Sequence, residues 1–338
     1  MTNRIAFLFF SVVVLSLFAC SPSEPEEKPR DQVRLQLKWL HQAQFAGYYL
    51  ALEKGFYADE NLHVTFIEGG HDIDQCEQLV YGKADIAVTA AETVFLRQTP
   101  GHPLVALAAI YQRSAVVFVA KKQSAIRRPD DFTGKTIAVG NMDSGGFVEA
   151  HVQFQALMQK VGVGTAGITV APYDMLYADF LADIVDVTPS YITGGVIKLR
   201  NQGVDLRLIW PGDYGISFYC DTLVTSSEYL KNNRDTALRF LRATLKGWQY
   251  AIEHSEEAVD ATMQYTKSKD RKMQLDMHEA QIPLVHTGLY PIGWMQKEVW
   301  QDMHDLLLQQ GFLHQPVVDI NAIFTSDLLK TIYPSVEK

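Results

Sequence analysis

The 338-residue sequence has few cysteines, no basic patch and, after its first twenty residues, no long apolar run. The three cysteines, Cys20, Cys76 and Cys220, form no metal-binding or disulfide-framework spacing, so we predict no metal site. Cys76 and Cys220 could pair in an oxidising compartment, but two distant cysteines are more typical of buried free thiols. The net charge of −9 argues against nucleic acid as a partner. No later segment has the roughly 20 apolar residues that a membrane-spanning helix needs.

The start of the chain has the pattern of an export signal. Residues 1–20 contain one cation, Arg4, then an apolar run that ends in Leu-Phe-Ala-Cys at Cys20. This ending is similar to the cleavage box of bacterial lipoproteins, so we predict a lipid on Cys20. A plain signal peptide is the alternative. Residues 21–32 are polar and proline-rich, which predicts a flexible tether to a membrane-anchored body facing the periplasm or the exterior.

Strand and helix patterns alternate between residue 33 and about residue 223. Apolar residues with a period of two, or in short buried runs, predict strands, and apolar residues with a period near four predict helices. The predicted strands include residues 33–40, 63–70, 84–90, 103–111, 115–122, 168–171, 184–187 and 204–210. Asp72 is predicted to cap the helix that follows the second strand. This alternation predicts an α/β protein with two mainly parallel sheets flanked by helices.

The pattern changes after residue 223, where nearly everything is predicted to be helical and no new strand is evident. Helices without a sheet of their own are expected to pack back onto the first half. We therefore predict one lobe from residues 33–120 and 222–338 and a second from residues 121–221. The two connections would form a double-crossover hinge, and two lobes joined in this way can close on a ligand.

Ligands of open α/β sheets bind beyond the carboxyl ends of the strands, and several candidate residues follow predicted strands. Trp39 is predicted to stack on a flat ring from the cleft wall, with a core position as the alternative. Gln44 begins the next helix and is expected near the cleft rim. Phe45 and Tyr49 are four residues apart on that helix and are predicted to be core.

Other candidates come from the remaining strand ends. Glu92 could accept hydrogen bonds from a ligand, or simply place charge at a helix N-terminus. The glycine-rich segment with Asp143, Ser144 and Gly145 could offer backbone N–H groups to a ligand oxygen, or cap the helix that follows. At the end of a second-lobe strand, Tyr191 would close over the ligand. The residues that flank the second crossing and would line the base of the cleft are Asp213, Tyr214 and Tyr219.

Several motifs together resemble one family. They are the opening W-x4-QFAGYY-x-A-x-EKGFY, the GKAD turn, PDDFTGKTIAV, DYG followed by DTLVTS, and PVVDINAIFTSDLL near the end. With these motifs, the chain is similar to the solute-binding proteins related to thiamine-pyrimidine synthase and to the sulfonate binders of ABC importers. The resemblance covers essentially the whole mature chain.

This resemblance implies the two-lobe fold of type II-like periplasmic binding proteins. It also implies a monomeric solute-binding protein that captures a small aromatic heterocycle and docks on an ABC permease. The implied ligand is a thiamine pyrimidine precursor first, a riboflavin-like compound second and a sulfonate third. A sensor component is the alternative to transport. In the pyrimidine-precursor binders a glutamate follows the tyrosine by four residues, where this chain has Gly195.

The same family contains a synthase that uses pyridoxal phosphate. That branch places a lysine and, four residues on, a histidine where this chain has Thr89 and Thr93. Because threonine supplies neither an imine nor an imidazole, we predict that the protein is not an enzyme and has no cofactor.

Overall fold

A computed structural model describes residues 29–98, 101–140 and 147–336 of the chain. Its ten strands contain mostly β-branched and other apolar residues, as buried strands require. In chain order they are β1 (Asp31–Gln36), β2 (Leu62–Ile67), β3 (Ile86–Thr89), β4 (Leu104–Tyr111), β5 (Val116–Lys121), β6 (Thr136–Ile137), β7 (Thr169–Val170), β8 (Val187–Tyr191), β9 (Leu206–Ile209) and β10 (Cys220–Ser226).

Helices connect and cover these strands. The described helices are α1 (Ala46–Glu53), α2 (Phe56–Asp59), α3 (Gln75–Val80), α4 (Ala91–Leu96), α5 (Val148–Lys160), α6 (Ala178–Leu181), α7 (Gly195–Asn201), α8 (Ser227–Asn232), α9 (Arg234–Glu253), α10 (Ser255–Tyr265), α11 (Arg271–Val285), α12 (Lys297–Gln309) and α13 (Asp327–Ile332). Within the described ranges, no helix has both the length and the apolar character needed to cross a bilayer.

The strands form two five-stranded sheets, in the orders β2-β1-β3-β10-β4 and β7-β6-β8-β5-β9. In the first sheet β1 pairs in parallel with β2 and β3, while β10 runs antiparallel to both β3 and β4. The second sheet repeats this plan, with β5 antiparallel to β8 and β9. Each sheet is therefore mixed but mainly parallel, with four strands in one direction and one antiparallel strand, β10 or β5. The predicted α/β two-sheet fold is confirmed.

The chain passes between the sheets twice, from β4 to β5 and from β9 to β10. The first passage lies at residues 112–115, a few residues before the predicted boundary at 120, because β5 belongs to the second sheet. The second ends at Cys220, where β10 begins. Since β10 is antiparallel to β3, its first residues lie at the carboxyl end of β3. The ends of β1, β3 and β8 and the start of β10 therefore meet between the sheets.

Two local predictions were wrong. Asp74, not Asp72, caps α3, because its side chain accepts the N–H groups of Cys76 and Glu77. The strand predicted at residues 184–187 is β8, which runs on to Tyr191 through Pro189. Pro189 is tolerated because β6 pairs with β8 only at Val187, so it lies beyond the end of that pairing.

The helices after β10 pack mainly on the first sheet and its helices. Helix α9 crosses α1 so closely that a Cβ atom added at Gly47 would lie 2.2 Å from the Trp248 ring. Phe45 and Tyr49 are fully buried in this core, which confirms the prediction for the aromatic helix. Cys76 and Cys220 are both buried free thiols, also as predicted.

Candidate functional site

A group of polar side chains is buried where the two sheets meet. We call it the polar cluster, and define it as Lys38, Glu92, Glu149, Tyr191, Cys220 and Asp221. Lys38 follows β1, and Glu92 lies in the first turn of α4 after β3. Cys220 and Asp221 open β10, so these four residues belong to the first sheet. Glu149 in α5 and Tyr191 at the end of β8 come from the second sheet.

Lys38 is the centre of the polar cluster and joins the two sheets. Its Nζ lies 2.8 Å from Oε1 of Glu149 and 3.6 Å from Oδ1 of Asp221. The Lys38 and Glu149 side chains are each 12% exposed, and that of Asp221 is 2% exposed. Lys38 also donates a hydrogen bond to the Tyr191 hydroxyl, which in turn donates to Glu149. One ammonium group therefore connects a carboxylate of each sheet.

The surroundings of Lys38 fix its charge. Burial opposes the charged form, but the carboxylates of Glu149 and Asp221 outweigh it and raise the pKa of the ammonium group above its usual value. Burial raises the pKa of the Cys220 thiol, so it stays protonated at neutral pH. Lys38 is therefore a permanent cation.

Asp221 is held by both a hydrogen bond and its backbone. Gln44 donates a hydrogen bond of 2.7 Å to its Oδ2 atom. Its φ of 44° lies in the left-handed region that residues other than glycine rarely adopt. Such backbone strain is concentrated at functional sites, where the surrounding structure maintains it. The strained position coincides with the second passage between the sheets.

Glu92 is the least satisfied member of the polar cluster. It is 0% exposed, and neither of its carboxyl oxygens makes a hydrogen bond of normal geometry to a described residue. The Gln153 side chain is near enough to favour the charged form, but burial and Glu149 outweigh it. Burial, followed by the nearby Glu149, raises the pKa of Glu92 to about 8. At neutral pH the group is mostly an uncharged carboxylic acid that can both donate and accept a hydrogen bond. A buried polar group without a partner costs free energy unless something else satisfies it.

The structure brings together part of the set predicted from sequence. Tyr191 and Glu92 belong to the polar cluster, and Gln44 binds Asp221 in it. Trp39 is adjacent to Lys38 in the chain and is half-buried against the core of the first sheet. Four predicted residues, Cys20, Asp143, Ser144 and Gly145, lie outside the described residues.

Three predicted residues have other neighbours. Tyr219 is buried, and its hydroxyl accepts the N–H of Gln296 just before α12. It also lines a pocket of about 420 Å³ beside the two passages. Asp213 is exposed, and Tyr214 packs against the core of the second sheet. These contacts place Tyr219 beside α12 and Tyr214 on the second core rather than beside Lys38.

The structure explains why a glycine occupies position 195. A Cβ atom there would lie 1.8 Å from the Tyr177 hydroxyl and 2.4 Å from Oγ of Ser190, so no side chain fits. Tyr177 and Ser190 hydrogen-bond each other at 3.1 Å and fill this space. The carboxylate next to Tyr191 comes instead from Glu149 on α5.

Sequence reasoning missed Lys38, Glu149 and Asp221. Lys38 falls on the same polar face of the opening strand pattern as Arg34, so the sequence suggested that it faces solvent. Glu149, in the first turn of a helix, matched the ordinary pattern of charge at a helix N-terminus. The one available signal for Lys38 was its position next to Trp39 at a strand end. In the part of the chain that the structure describes, no three histidine, cysteine, aspartate or glutamate side chains are arranged so that they could hold a metal ion.

Comparisons with known proteins give the chain relatives along most of its length. It is 25% identical over 342 residues to the riboflavin-binding protein RibY of Chloroflexus aurantiacus, covering 94% of this chain and 95% of that one. It is 23% identical over 330 residues to the formylaminopyrimidine-binding protein of Halalkalibacterium halodurans, covering 93% and 96%.

Solved structures share the fold. The periplasmic aliphatic sulphonate binding protein SsuA of Escherichia coli superposes with a TM-score of 0.68 at 15% identity, over 86% of this chain and 91% of that one. The family model described as NMT1/THI5 like matches residues 42–258, which include most of the polar cluster. With its fold, its full-length relatives and this match, the chain belongs to the NMT1/THI5-like family.

Proposed function

We propose that the protein is the solute-binding component of an ABC importer and that its ligand binds between the two sheets at the polar cluster. The two full-length relatives described above are named as binding proteins for riboflavin and for formylaminopyrimidine. Two sheets joined by two passages provide the hinge that closure requires. A ligand that contacts both sheets would favour the closed form by its stronger contacts there.

The single observation that carries this proposal is the buried carboxyl group of Glu92. It faces charged groups of both sheets and makes no hydrogen bond of normal geometry to a described residue. An amino or ring N–H group of a ligand would satisfy it. A protein that only needed a stable core would lose little by replacing such a group with an apolar one.

The charges of the polar cluster favour a neutral ligand over an anion. Three carboxyl groups, Glu92, Glu149 and Asp221, surround the one ammonium group of Lys38. Two like charges about 4 Å apart repel by roughly 4 kcal/mol at an effective dielectric constant near 20. A sulfonate would meet such repulsion from Glu149 and Asp221, so the site suits a neutral heterocycle better.

The proposed ligand is a small aromatic heterocycle, with a thiamine pyrimidine precursor as first choice and a riboflavin-like compound as second. Its ring would stack on Trp39, and its polar edge would meet Glu92 and Tyr191. Asp143, Ser144 and Gly145 complete the proposed ligand-binding set. Asp213, Tyr214 and Tyr219 belong to it only if the ligand reaches the second passage.

Catalysis is not part of the proposal. Imine formation requires a neutral amine, and Lys38 is held as a cation by its ion pairs. Thr89 and Thr93 are the residues at the positions where the synthase branch has its lysine and histidine. Some relatives are named as pyrimidine phosphate synthases, including one from Legionella pneumophila that is 23% identical over 239 residues. The charged state of Lys38 and the threonines at positions 89 and 93 favour binding over synthesis.

Membrane attachment and partners complete the proposal. Cys20 would carry the lipid, residues 21–32 would act as the tether, and the closed monomer would dock on a permease. Metabolic labelling with a fatty acid should mark the wild-type protein and leave Cys20→Ala unlabelled. The sensor alternative predicts that deletion of the gene leaves ligand uptake unchanged, whereas transport predicts its loss.

The proposal is tested by identifying what the protein binds. Native mass spectrometry of protein purified without denaturation should reveal a bound heterocycle. In a thermal-shift screen, pyrimidines, thiamine or riboflavin should raise the midpoint of unfolding. If taurine raises the midpoint and none of the heterocycles does, the heterocycle assignment is wrong.

A further inference from the structure

Lys38 and Glu149 form an ion pair across the boundary between the two sheets. Lys38 follows β1 of the first sheet and Glu149 lies in α5 beside the second, with 2.8 Å between Nζ and Oε1. A ligand that enters between the sheets must separate this pair. Each charge would then lose its main partner while it stays largely buried, which is costly unless the ligand replaces that partner.

Each group keeps neighbours on its own sheet when the pair separates. Lys38 keeps Asp221, whose Oδ1 lies 3.6 Å from Nζ, and the weakly accepting thiol of Cys220, whose Sγ also lies 3.6 Å from Nζ. Glu149 keeps the hydroxyl of Tyr191, which donates to it. After the pair separates, the ligand must therefore supply a hydrogen-bond acceptor for Lys38 and a hydrogen-bond donor for Glu149.

We propose, building on the proposed function above, that the site recognises a ligand edge on which an N–H donor stands beside a carbonyl acceptor. Glu149 accepts a hydrogen bond from the N–H group, and the Lys38 ammonium donates one to the carbonyl oxygen. Lactams and pyrimidinediones carry such an edge because their ring holds the amide cis, and a formamide carries it in the conformer whose N–H lies on the same side as the carbonyl oxygen. Alkanesulfonates without an amino group offer no donor to Glu149, and simple amines offer no acceptor to Lys38.

The test uses pairs of probes that differ only at the donor. Riboflavin is compared with its derivative methylated at the N–H between the two ring carbonyls. Formylaminopyrimidine is compared with its derivative methylated at the formamide nitrogen. Calorimetric titration of the wild-type protein should show that methylation weakens binding of the preferred probe by about tenfold or more, as expected for a lost hydrogen bond to a charged group.

The Glu149→Ala variant separates recognition from steric exclusion. If Glu149 accepts a hydrogen bond from the ligand N–H group, methylation of that group should reduce the affinity of this variant much less than that of the wild-type protein. Circular dichroism checks its fold, and Glu149→Met, which has a similar length and no strong hydrogen-bond acceptor, replaces it if the alanine variant does not fold. Equal binding of both members of a pair, or an unchanged methylation cost in the variant, would overturn the inference and leave the proposed function standing. Binding of an alkanesulfonate and of no heterocycle would overturn both.

Discussion

The polar cluster and the contact between α1 and α9 are both buried, yet they are built in opposite ways. At the helix contact, the Trp248 ring lies against Gly47, and Gly247 lies against the backbone of α1, with no room for a methyl group. At the polar cluster, Lys38 is shared between carboxylates of two sheets, and Glu92 makes no hydrogen bond of normal geometry to a described residue.

The difference separates a contact that must stay fixed from one that can exchange partners. Close packing of a ring on glycine is lost with any displacement, so it holds α9 on the first sheet permanently. Charged groups can pass from one partner to another if each stays satisfied. We infer that the first sheet with its helices moves as one body and that the polar cluster is where the ligand acts.

The largest expected effect comes from removing the central cation. Lys38→Met leaves Glu149 and Asp221 buried without their partner, so we expect a loss of about 3–5 kcal/mol in the free energy of unfolding. Ligand binding should be lost as well. Chemical denaturation measures the first effect, and calorimetry the second. Lys272→Met is the matched control because its pair with Asp276 is on the surface. An equally small effect of both variants would show that the polar cluster is not a charged core.

The second largest expected effect is a pH dependence of the free energy of unfolding that arises from Glu92. Between pH 4.5 and about 8 the native protein retains a proton that the unfolded chain releases. The free energy of unfolding of the wild-type protein therefore falls as pH rises through this window. Glu92→Gln removes that dependence, so its stability relative to wild type should increase from pH 5 to pH 9, on the order of 2–4 kcal/mol.

Denaturation at a series of pH values measures this difference. The control is Glu228→Gln, at an exposed position in α8, which should show no comparable trend. A constant difference between Glu92→Gln and wild type from pH 5 to pH 9 would mean that the carboxyl group is not buried in the native protein.

The third effect tests the fixed contact. Gly47→Ala places a methyl group on the Trp248 ring, so we expect a loss of about 1–3 kcal/mol despite the better helix propensity of alanine. Thermal or chemical unfolding measures it. Gly164→Ala is the control, because no atom lies within 4 Å of its added Cβ. Unchanged stability in Gly47→Ala would contradict the close approach of α1 and α9.

The smallest effect concerns the stacking wall. Trp39→Ala should weaken heterocycle binding by about 0.5–1.5 kcal/mol, or roughly two- to twelvefold in Kd. Titration calorimetry measures the change, and Tyr81→Ala, at an exposed position, serves as control. If both variants bind as tightly as wild type, Trp39 does not touch the ligand.

Sequence patterns predicted the two-sheet fold because strand and helix periods are local properties. The buried aromatic helix, with Phe45 and Tyr49, followed from the same periodicity. The strand β10 was not predicted, because DTLVTS has polar and apolar residues on both faces and so shows no alternation. Its pairing with β3 and β4 also depends on residues far away in the sequence. The end of β8 was hidden by Pro189, whose tolerance depends on the length of β6.

The candidate site was predictable only where its residues stand at strand ends. Tyr191 and Glu92 could be found this way, and both belong to the polar cluster. Lys38 and Glu149 could not, because 111 positions separate them in the chain and each looks like a surface charge by itself. Their pairing is a product of the way the two sheets face each other.

The central claim is that a heterocycle binds between the sheets at the polar cluster, and a crystal structure of the liganded protein tests it most directly. The account predicts electron density for the ligand between Trp39 and Tyr191, within hydrogen-bond distance of Lys38 and Glu149. Density in the pocket beside the two passages, with the ion pair between Lys38 and Glu149 intact, would contradict it.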